Sequence, residues 1–165
     1  GAWFSDIYKG ERIPTLSETL DTLAALEMGI NLEIKPSGCD AMLLAERVAS
    51  EIGNRHDVPV LLSSFDPDVV AAMADLCPAL DCGWLVEEIP ADWKSRYDAL
   101  KAAALHVDQK QLTAEKCAEI TGEKVPLICY TVNDPDRART LLSWGVRAII
   151  TDNPALMTTA IPPIR

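Results

Sequence analysis

The chain has 165 residues with 48% apolar and 24% charged side chains, and its 15 basic and 25 acidic residues give a net charge of −10. The apolar fraction argues against a disordered chain, and no run approaches the roughly 18 apolar residues of a membrane span. The acidic balance repels phosphate backbones and anionic membranes, so neither nucleic acid nor a membrane is an expected partner.

The cysteines are odd in number, and no two of them have the spacing of a zinc or redox site. They are Cys39, Cys77, Cys82, Cys117 and Cys129. This set predicts buried free thiols in a reducing compartment, and hence a cytoplasmic location. The chain begins at Gly1 without a Met, so a signal peptide lying upstream would change that prediction.

Short apolar runs alternate with segments of helical periodicity. Residues 1–14 are predicted to be a loop that leads into the first helix, because Thr15 and Glu18 form a capping box. Gly29 is the predicted stop of that helix. The other helices are predicted over residues 40–52, 66–76, 91–103, 113–122, 134–142 and from 153. Strands are predicted near residues 30, 60, 83, 105, 128 and 148.

Six strands separated by helices predict an α/β fold with a parallel sheet and right-handed crossovers. No glycine-rich fingerprint follows a strand, which argues against a dinucleotide-binding fold. The remaining common solution is a TIM barrel, of which the chain would supply about six of eight βα units.

Chemistry in such barrels lies at the carboxyl ends of the strands. At the end of the first predicted strand, Glu33 and Lys35 fall on one face because they are two residues apart. Glu33 suits a hard cation such as Mg²⁺ or Ca²⁺, and Lys35 suits an anionic oxygen. A structural ion pair explains the same spacing equally well.

Other strand ends carry further candidates. Ser63, Ser64 and Phe65 end the second strand, where the hydroxyls suit an anion or simply begin a turn. His106 suits a polar pocket or a satisfied core position, and Tyr130 suits a pocket wall or the core. His56 precedes the second strand on the opposite rim and is discounted.

Five segments, taken together and in order, resemble the C-terminal part of a bacterial glycerophosphodiester phosphodiesterase. They are Gly-Ala-Trp-Phe-Ser with Gly-Glu-Arg-Ile-Pro-Thr-Leu at 1–16, Asn-Leu-Glu-Ile-Lys-Pro at 31–36, Leu-Ser-Ser-Phe at 62–65, Tyr-Thr-Val-Asn at 130–133, and 144–154, which ends Thr-Asp-Asn-Pro. The resemblance spans nearly the whole chain.

The resemblance implies a metal-dependent TIM barrel that hydrolyses glycerophosphodiesters to an alcohol and glycerol 3-phosphate. Glu33 then matches a metal ligand, with Mg²⁺ or Ca²⁺ as the cofactor, and Lys35 a catalytic lysine facing the phosphate. Substrate-binding positions are implied at the ends of later strands. They are Ser64, Phe65, Trp84, His106 and Tyr130.

The sequence departs from the family at its first two strands. The His-Arg-Gly, Glu-x-Asp and His-Asp motifs, which carry both catalytic histidines and two metal ligands, do not occur. We therefore expect residues 1–165 to be an incomplete domain that is inactive alone. A missing N-terminal segment or a second copy would complete the barrel, because open parallel edges invite pairing.

Two alternatives stay open from the sequence. One is a non-catalytic fragment that binds phosphate or pairs with a partner. The other is a different barrel enzyme such as a phosphoinositide-specific lipase, against which the Glu-Ile-Lys and Thr-Asp-Asn-Pro runs argue.

Overall fold

The computed structural model describes residues 1–53, 55 and 57–161, so His56 lies outside the described residues. The strands are β1 (Ile30–Glu33), β2 (Val60–Ser64), β3 (Cys82–Val86), β4 (Ala104–Asp108), β5 (Leu127–Tyr130) and β6 (Ala148–Ile149). The helices are α1 (Leu16–Ala25), α2 (Ala41–Ile52), α3 (Pro67–Leu76), α4 (Trp93–Ala99), α5 (Ala114–Gly122), α6 (Pro135–Ser143) and α7 (Pro154–Ala160). Within residues 1–14 the only described regular element is a 3-10 turn at Asp6–Tyr8.

Local capping sets the start of α1 as the sequence predicts. The Thr15 hydroxyl accepts a hydrogen bond from the Glu18 backbone N–H at 3.2 Å, and the Glu18 carboxylate accepts one from the Thr15 N–H at 2.8 Å. The predicted stop at Gly29 is wrong, because α1 ends at Ala25 and Glu27 instead adopts the left-handed conformation, with φ 53°. Helix α4 is also shorter than predicted and ends before Lys101, which has φ 52°.

The six strands form one parallel sheet in which sequence order equals spatial order. Strands joined by helices and paired in chain order are the arrangement of a TIM barrel, so the predicted fold class is confirmed. In the described part of the chain β1 pairs only with β2, and β6 only with β5. The outer edges of β1 and β6 therefore stay open, as expected for six of eight strands.

The register divides the sheet into two faces, because directly paired residues of parallel strands point to the same side. The helix-side face carries Leu62, Leu105 and Leu127, which are fully buried against the helices. The interior face is the opposite one. Moving from β1 to β5, it carries Glu33, Ser63, Gly83, Leu85, His106, Ile128 and Tyr130.

The cysteines follow the prediction in part. All five are free thiols; four are buried, and Cys39 is exposed. Burial raises the pKa of Cys82 to about 11 and the pKa of Cys129 to about 12, so these thiols stay protonated and unreactive. Among the described residues, no helix has the length and apolar character needed to cross a membrane.

Candidate active site at the carboxyl ends of the strands

Glu33 and Lys35 stand side by side where β1 ends. The Lys35 Nζ lies 3.2 Å from Glu33 Oε1, and their side chains are 64% and 30% exposed. Ile34, between them, points to the helix side and is buried, which fixes the direction of its two neighbours. An ion pair this exposed contributes at most about 1 kcal/mol to stability. The structural ion pair is thus present, but it contributes too little stability to account for the two charged residues.

The two serines that end β2 face opposite ways. Ser64 is on the helix side, where its hydroxyl donates to the Ile34 carbonyl at 2.7 Å and accepts from the Asp66 N–H at 3.1 Å. These bonds tie β2 to β1 and leave Ser64 away from Glu33. Ser63 pairs in register with Glu33, is fully buried, and has no hydrogen-bond partner for its hydroxyl among the described residues.

The two serines can be told apart because successive side chains of a strand point to opposite faces of the sheet. Starting from Glu33 and stepping across parallel strands, this alternation selects Ser63 rather than the predicted Ser64. The sequence prediction placed the hydroxyls at the right strand end but did not use the face.

Phe65 and Tyr130 meet across the open end of the sheet. Their rings pack edge to face with centroids 5.9 Å apart, and the Tyr130 hydroxyl donates to the Val86 carbonyl at 2.8 Å. Burial, followed by the carboxylates of Asp108, Glu87 and Glu33, raises the pKa of Tyr130 to about 12. Tyr130 therefore stays neutral near pH 7. Asp108 and Glu87 are mouth residues that the sequence prediction missed.

His106 lies on the interior face of β4 and is fully buried. Neither ring nitrogen has a hydrogen-bond partner in the described part of the chain. The ring fits because position 83 is glycine, where a Cβ would lie 2.3 Å from His106 Nε2. Burial lowers the pKa of His106 to about 4, so the ring is neutral near pH 7.

Trp84 is separated from the other predicted site residues. It pairs in register with Ser64 and Leu105, so its ring points to the helix side, and it is 5% exposed. The structure therefore brings together Glu33, Lys35, Phe65, His106 and Tyr130 at the interior face and its mouth. Ser64 and Trp84 point to the helix side of the sheet, where Ser64 lines a cleft beside Lys35 and Trp84 lines a neighbouring cleft.

Two neighbouring clefts open at this end of the sheet. The first, here the lysine cleft, has a volume of about 490 Å³ and is lined by Lys35, Ser37, Phe65, Asp66 and Glu87, among others. The second, here the aromatic cleft, has a volume of about 410 Å³ and includes Phe65, Trp84, Glu87 and Glu88. Phe65 and Glu87 line both clefts and form their common wall. A larger cleft of about 530 Å³, between residues 10–14 and α1, contains none of the predicted site residues.

The described residues supply one plausible metal ligand. Glu33 Oε1 is a buried oxygen without a hydrogen bond, and its carboxylate suits Mg²⁺ or Ca²⁺. No group of three or more His, Cys, Asp or Glu side chains comes together within residues 1–53, 55 and 57–161 in a way that could hold a metal ion. The described residues do not by themselves form a metal site around Glu33.

A parallel sheet of six strands joined by helices and paired in chain order is the arrangement of a TIM barrel, and Glu33, Lys35 and Tyr130 lie at the carboxyl ends of its strands. Residues 1–156 match the model of the glycerophosphoryl diester phosphodiesterase family. The chain belongs to this family.

Characterised relatives agree with that assignment. A glycerophosphodiester phosphodiesterase of Bacillus subtilis (strain 168) is 26% identical, with 94% of this chain and 59% of the relative covered. One from Caldanaerobacter subterraneus is 24% identical, with 98% of this chain and 67% of the relative covered. The chain thus spans less than two thirds of the Bacillus protein.

Solved structures agree as well. A phosphodiesterase of Oleispira antarctica, solved with its product sn-glycerol-3-phosphate, superimposes with a TM-score of 0.91 at 28% identity. That match covers 99% of this chain and 67% of the other.

Proposed function

We propose that this chain forms part of an enzyme that hydrolyses glycerophosphodiesters to an alcohol and glycerol 3-phosphate. The observation that carries the proposal is the Glu33–Lys35 pair, held 3.2 Å apart at the carboxyl end of β1 beside an open cleft. The close superposition on a phosphodiesterase that holds glycerol 3-phosphate supports the same substrate class.

Lys35 is the residue proposed to face the phosphate. Its side chain is 64% exposed and lines the lysine cleft, so the ammonium group is free to approach a non-bridging phosphate oxygen. Negative charge grows on the phosphoryl oxygens and the leaving oxygen as the diester is cleaved, and a fixed cation stabilises it. Replacing the lysine therefore affects turnover more than folding.

Glu33 is proposed as a ligand of a divalent cation, Mg²⁺ or Ca²⁺. The Oε1 atom accepts no hydrogen bond and has only the Lys35 ammonium, 3.2 Å away, beside it, which leaves the carboxylate able to bind a metal. When bound, such a cation would neutralise phosphate charge in a mouth that otherwise carries the carboxylates of Glu33, Glu87 and Asp108 around Tyr130. Lys35 balances one of these charges without the metal.

The proton-transfer groups are proposed to come from a further segment, since a second copy would complete the sheet but bring only the same two histidines. The chain has two histidines; His56 lies outside the described residues, and His106 is buried and neutral with a pKa of about 4. Such a ring is a poor general acid at neutral pH. The open edges of β1 and β6 offer places for additional strands. A cytoplasmic setting, supported by the free thiols, is part of the proposal.

The second candidate is a phosphate-binding fragment without turnover. The burial of His106 favours it for the 165 residues alone. The two candidates differ only in hydrolysis, since both need Lys35 to bind the anion.

The test measures hydrolysis. Release of glycerol 3-phosphate from glycerophosphodiesters is measured with Mg²⁺ or Ca²⁺, first for the 165 residues and then for the protein with its histidine-bearing segment. We expect turnover only from the second. There, Lys35→Met lowers kcat/KM about 10²-fold, while Lys124→Met at the opposite rim changes nothing. Unchanged turnover in the Lys35 variant would remove that residue from the site.

A further inference from the structure

Tyr130 connects two strands of the sheet that are not neighbours. It is the last residue of β5, and its hydroxyl donates a hydrogen bond of 2.8 Å to the carbonyl of Val86, the last residue of β3. Strand β4 lies between β3 and β5 in the sheet. The bond therefore spans the end of β4 and holds the carboxyl ends of β3 and β5 at a fixed separation.

The ring of Tyr130 contacts the end of a third strand. It packs edge to face against Phe65, which directly follows β2, with 82° between the two ring planes. Aromatic pairs of this geometry are stabilised beyond the apolar area that they bury. One side chain thus fixes the relative positions of residues at the ends of β2, β3 and β5.

The residues held by Tyr130 belong to the wall between the lysine cleft and the aromatic cleft, or directly precede it. Phe65 lines both clefts, and Glu87, which also lines both, follows Val86 in the chain. Tyr130 itself is not among the residues that line either cleft. It therefore supports the wall without forming part of the surface of either cleft.

The hydroxyl of Tyr130 is in the protonation state that this contact needs. Burial, followed by nearby carboxylates, raises its pKa to about 12, so it keeps its proton near pH 7. A neutral phenol has one hydrogen to donate, and here that hydrogen is directed at the Val86 carbonyl. The link between β5 and β3 is therefore present over the whole physiological pH range.

We propose that Tyr130 is a positioning residue for the phosphate ester: it fixes the wall formed by Phe65 and Glu87 and does not itself contact the ligand. The inference rests on the proposed function for the position of the phosphate beside Lys35. A wall that is fixed before the ligand arrives spares the complex the cost of ordering it. The affinity of the lysine cleft should therefore depend on a hydroxyl that does not touch the ligand.

The test measures binding of sn-glycerol 3-phosphate to the 165-residue chain by calorimetry. Tyr130→Phe removes the hydroxyl and keeps the ring, so we expect the dissociation constant to rise about 5-fold, the equivalent of one neutral hydrogen bond. The matched control is Tyr97→Phe on α4, a half-buried tyrosine that lines neither cleft, and it should leave the constant unchanged. Equal constants for Tyr130→Phe and the unsubstituted chain would overturn the proposal.

A double-variant cycle tests whether the hydroxyl acts through the wall. Phe65→Leu removes the ring against which Tyr130 packs and so disturbs the same wall. Adding Tyr130→Phe to Phe65→Leu should then raise the dissociation constant by less than about 2-fold more. If the factors of the two single variants multiply instead, the hydroxyl acts independently of Phe65, and the proposal is overturned.

Lys35→Met separates this proposal from the proposed function. If this variant loses binding while Tyr130→Phe binds as well as the unsubstituted chain, the positioning role alone is overturned. If Tyr130→Phe weakens binding and Lys35→Met does not, the wall is supported and the phosphate position is overturned. Failure of the unsubstituted chain to bind sn-glycerol 3-phosphate would overturn both.

Discussion

The two faces of the sheet differ in how their polar atoms are satisfied. On the helix-side face, Ser64 uses its hydroxyl to donate and to accept among fully buried leucines. On the interior face, the hydroxyl of Ser63, one carboxylate oxygen of Glu33 and both ring nitrogens of His106 are buried without a hydrogen bond from the described residues. Apart from the Glu33 oxygen, which lies 3.2 Å from Lys35 Nζ, each such atom costs about 1–3 kcal/mol. The helix-side face therefore stabilises the fold, and the interior face keeps polar groups that folding does not require.

The largest effect should come from opening a cavity on the helix-side face. Leu105 on β4 is fully buried in the helix-side core, whereas Leu85, on the interior face of the neighbouring strand β3, is not part of that core. We expect Leu105→Ala to lower the free energy of unfolding by about 3–4 kcal/mol and Leu85→Ala by about 2 kcal/mol. Urea unfolding of both variants measures the difference. Equal losses would mean that the interior contributes as much stability as the helix-side core.

His106 should give the interior face a pH dependence that the helix-side face lacks. Its pKa is about 4 in the folded chain against 6.5 as an ordinary value. Between these values the unfolded chain binds more protons, so the free energy of unfolding falls as the pH falls from 6.5 to 4, by about 3 kcal/mol in all. Urea unfolding at several pH values measures the slope.

The control for this slope is His106→Gln, which cannot be protonated. Carboxylates with lowered pKa values, such as Asp92 beside Arg96, also lose stabilisation at acid pH, but they do so equally in both proteins. The difference between the two curves therefore isolates the imidazole. Parallel curves would show that His106 is accessible to protons in the folded state.

The sequence predicts the local features of this molecule better than its long-range features. Helix starts follow from local chemistry, as at Thr15, where the capping box forms as predicted. Strand order follows from alternation, since parallel units connected by helices leave few topologies. The end of α1 does not follow, because a non-glycine residue, Glu27, adopts the left-handed conformation there.

The placement of a candidate residue follows from the sequence where one strand supplies it, and it depends on strand register where several strands combine. Glu33 and Lys35 are two residues apart on β1, so their common face can be read directly. The space that Gly83 leaves for His106 depends on the register of β3 with β4. The sequence alone does not fix that register, nor the pairing of Ser64 with Trp84 that places both side chains on the helix side.

Filling the space at Gly83 tests that long-range fit. A Cβ at this position would lie 2.3 Å from Nε2 and 2.8 Å from Cδ2 of His106. The ring is enclosed, so we expect Gly83→Ala to lower the free energy of unfolding by about 2 kcal/mol. Adding His106→Ala removes the clash, and the double variant should lose less than the two single variants combined. If the losses of the two single variants add exactly in the double variant, the added methyl group would be disturbing the backbone at position 83 and not the imidazole.

The smallest expected effect is the difference in stability between variants of two adjacent serines, Ser63 and Ser64, which lie on opposite faces of the sheet. Ser64→Ala removes a hydroxyl that donates to Ile34 and accepts from Asp66, so we expect a loss of about 1–2 kcal/mol in the free energy of unfolding. Ser63→Ala removes a buried hydroxyl that has no partner among the described residues, so stability should stay within about 0.5 kcal/mol or rise. The two variants have the same size and lie one residue apart, and thermal unfolding compares them directly. A larger loss of stability in Ser63→Ala than in Ser64→Ala would mean that the Ser63 hydroxyl has a hydrogen-bond partner in the folded protein. The two faces would then not differ in how their buried polar atoms are satisfied.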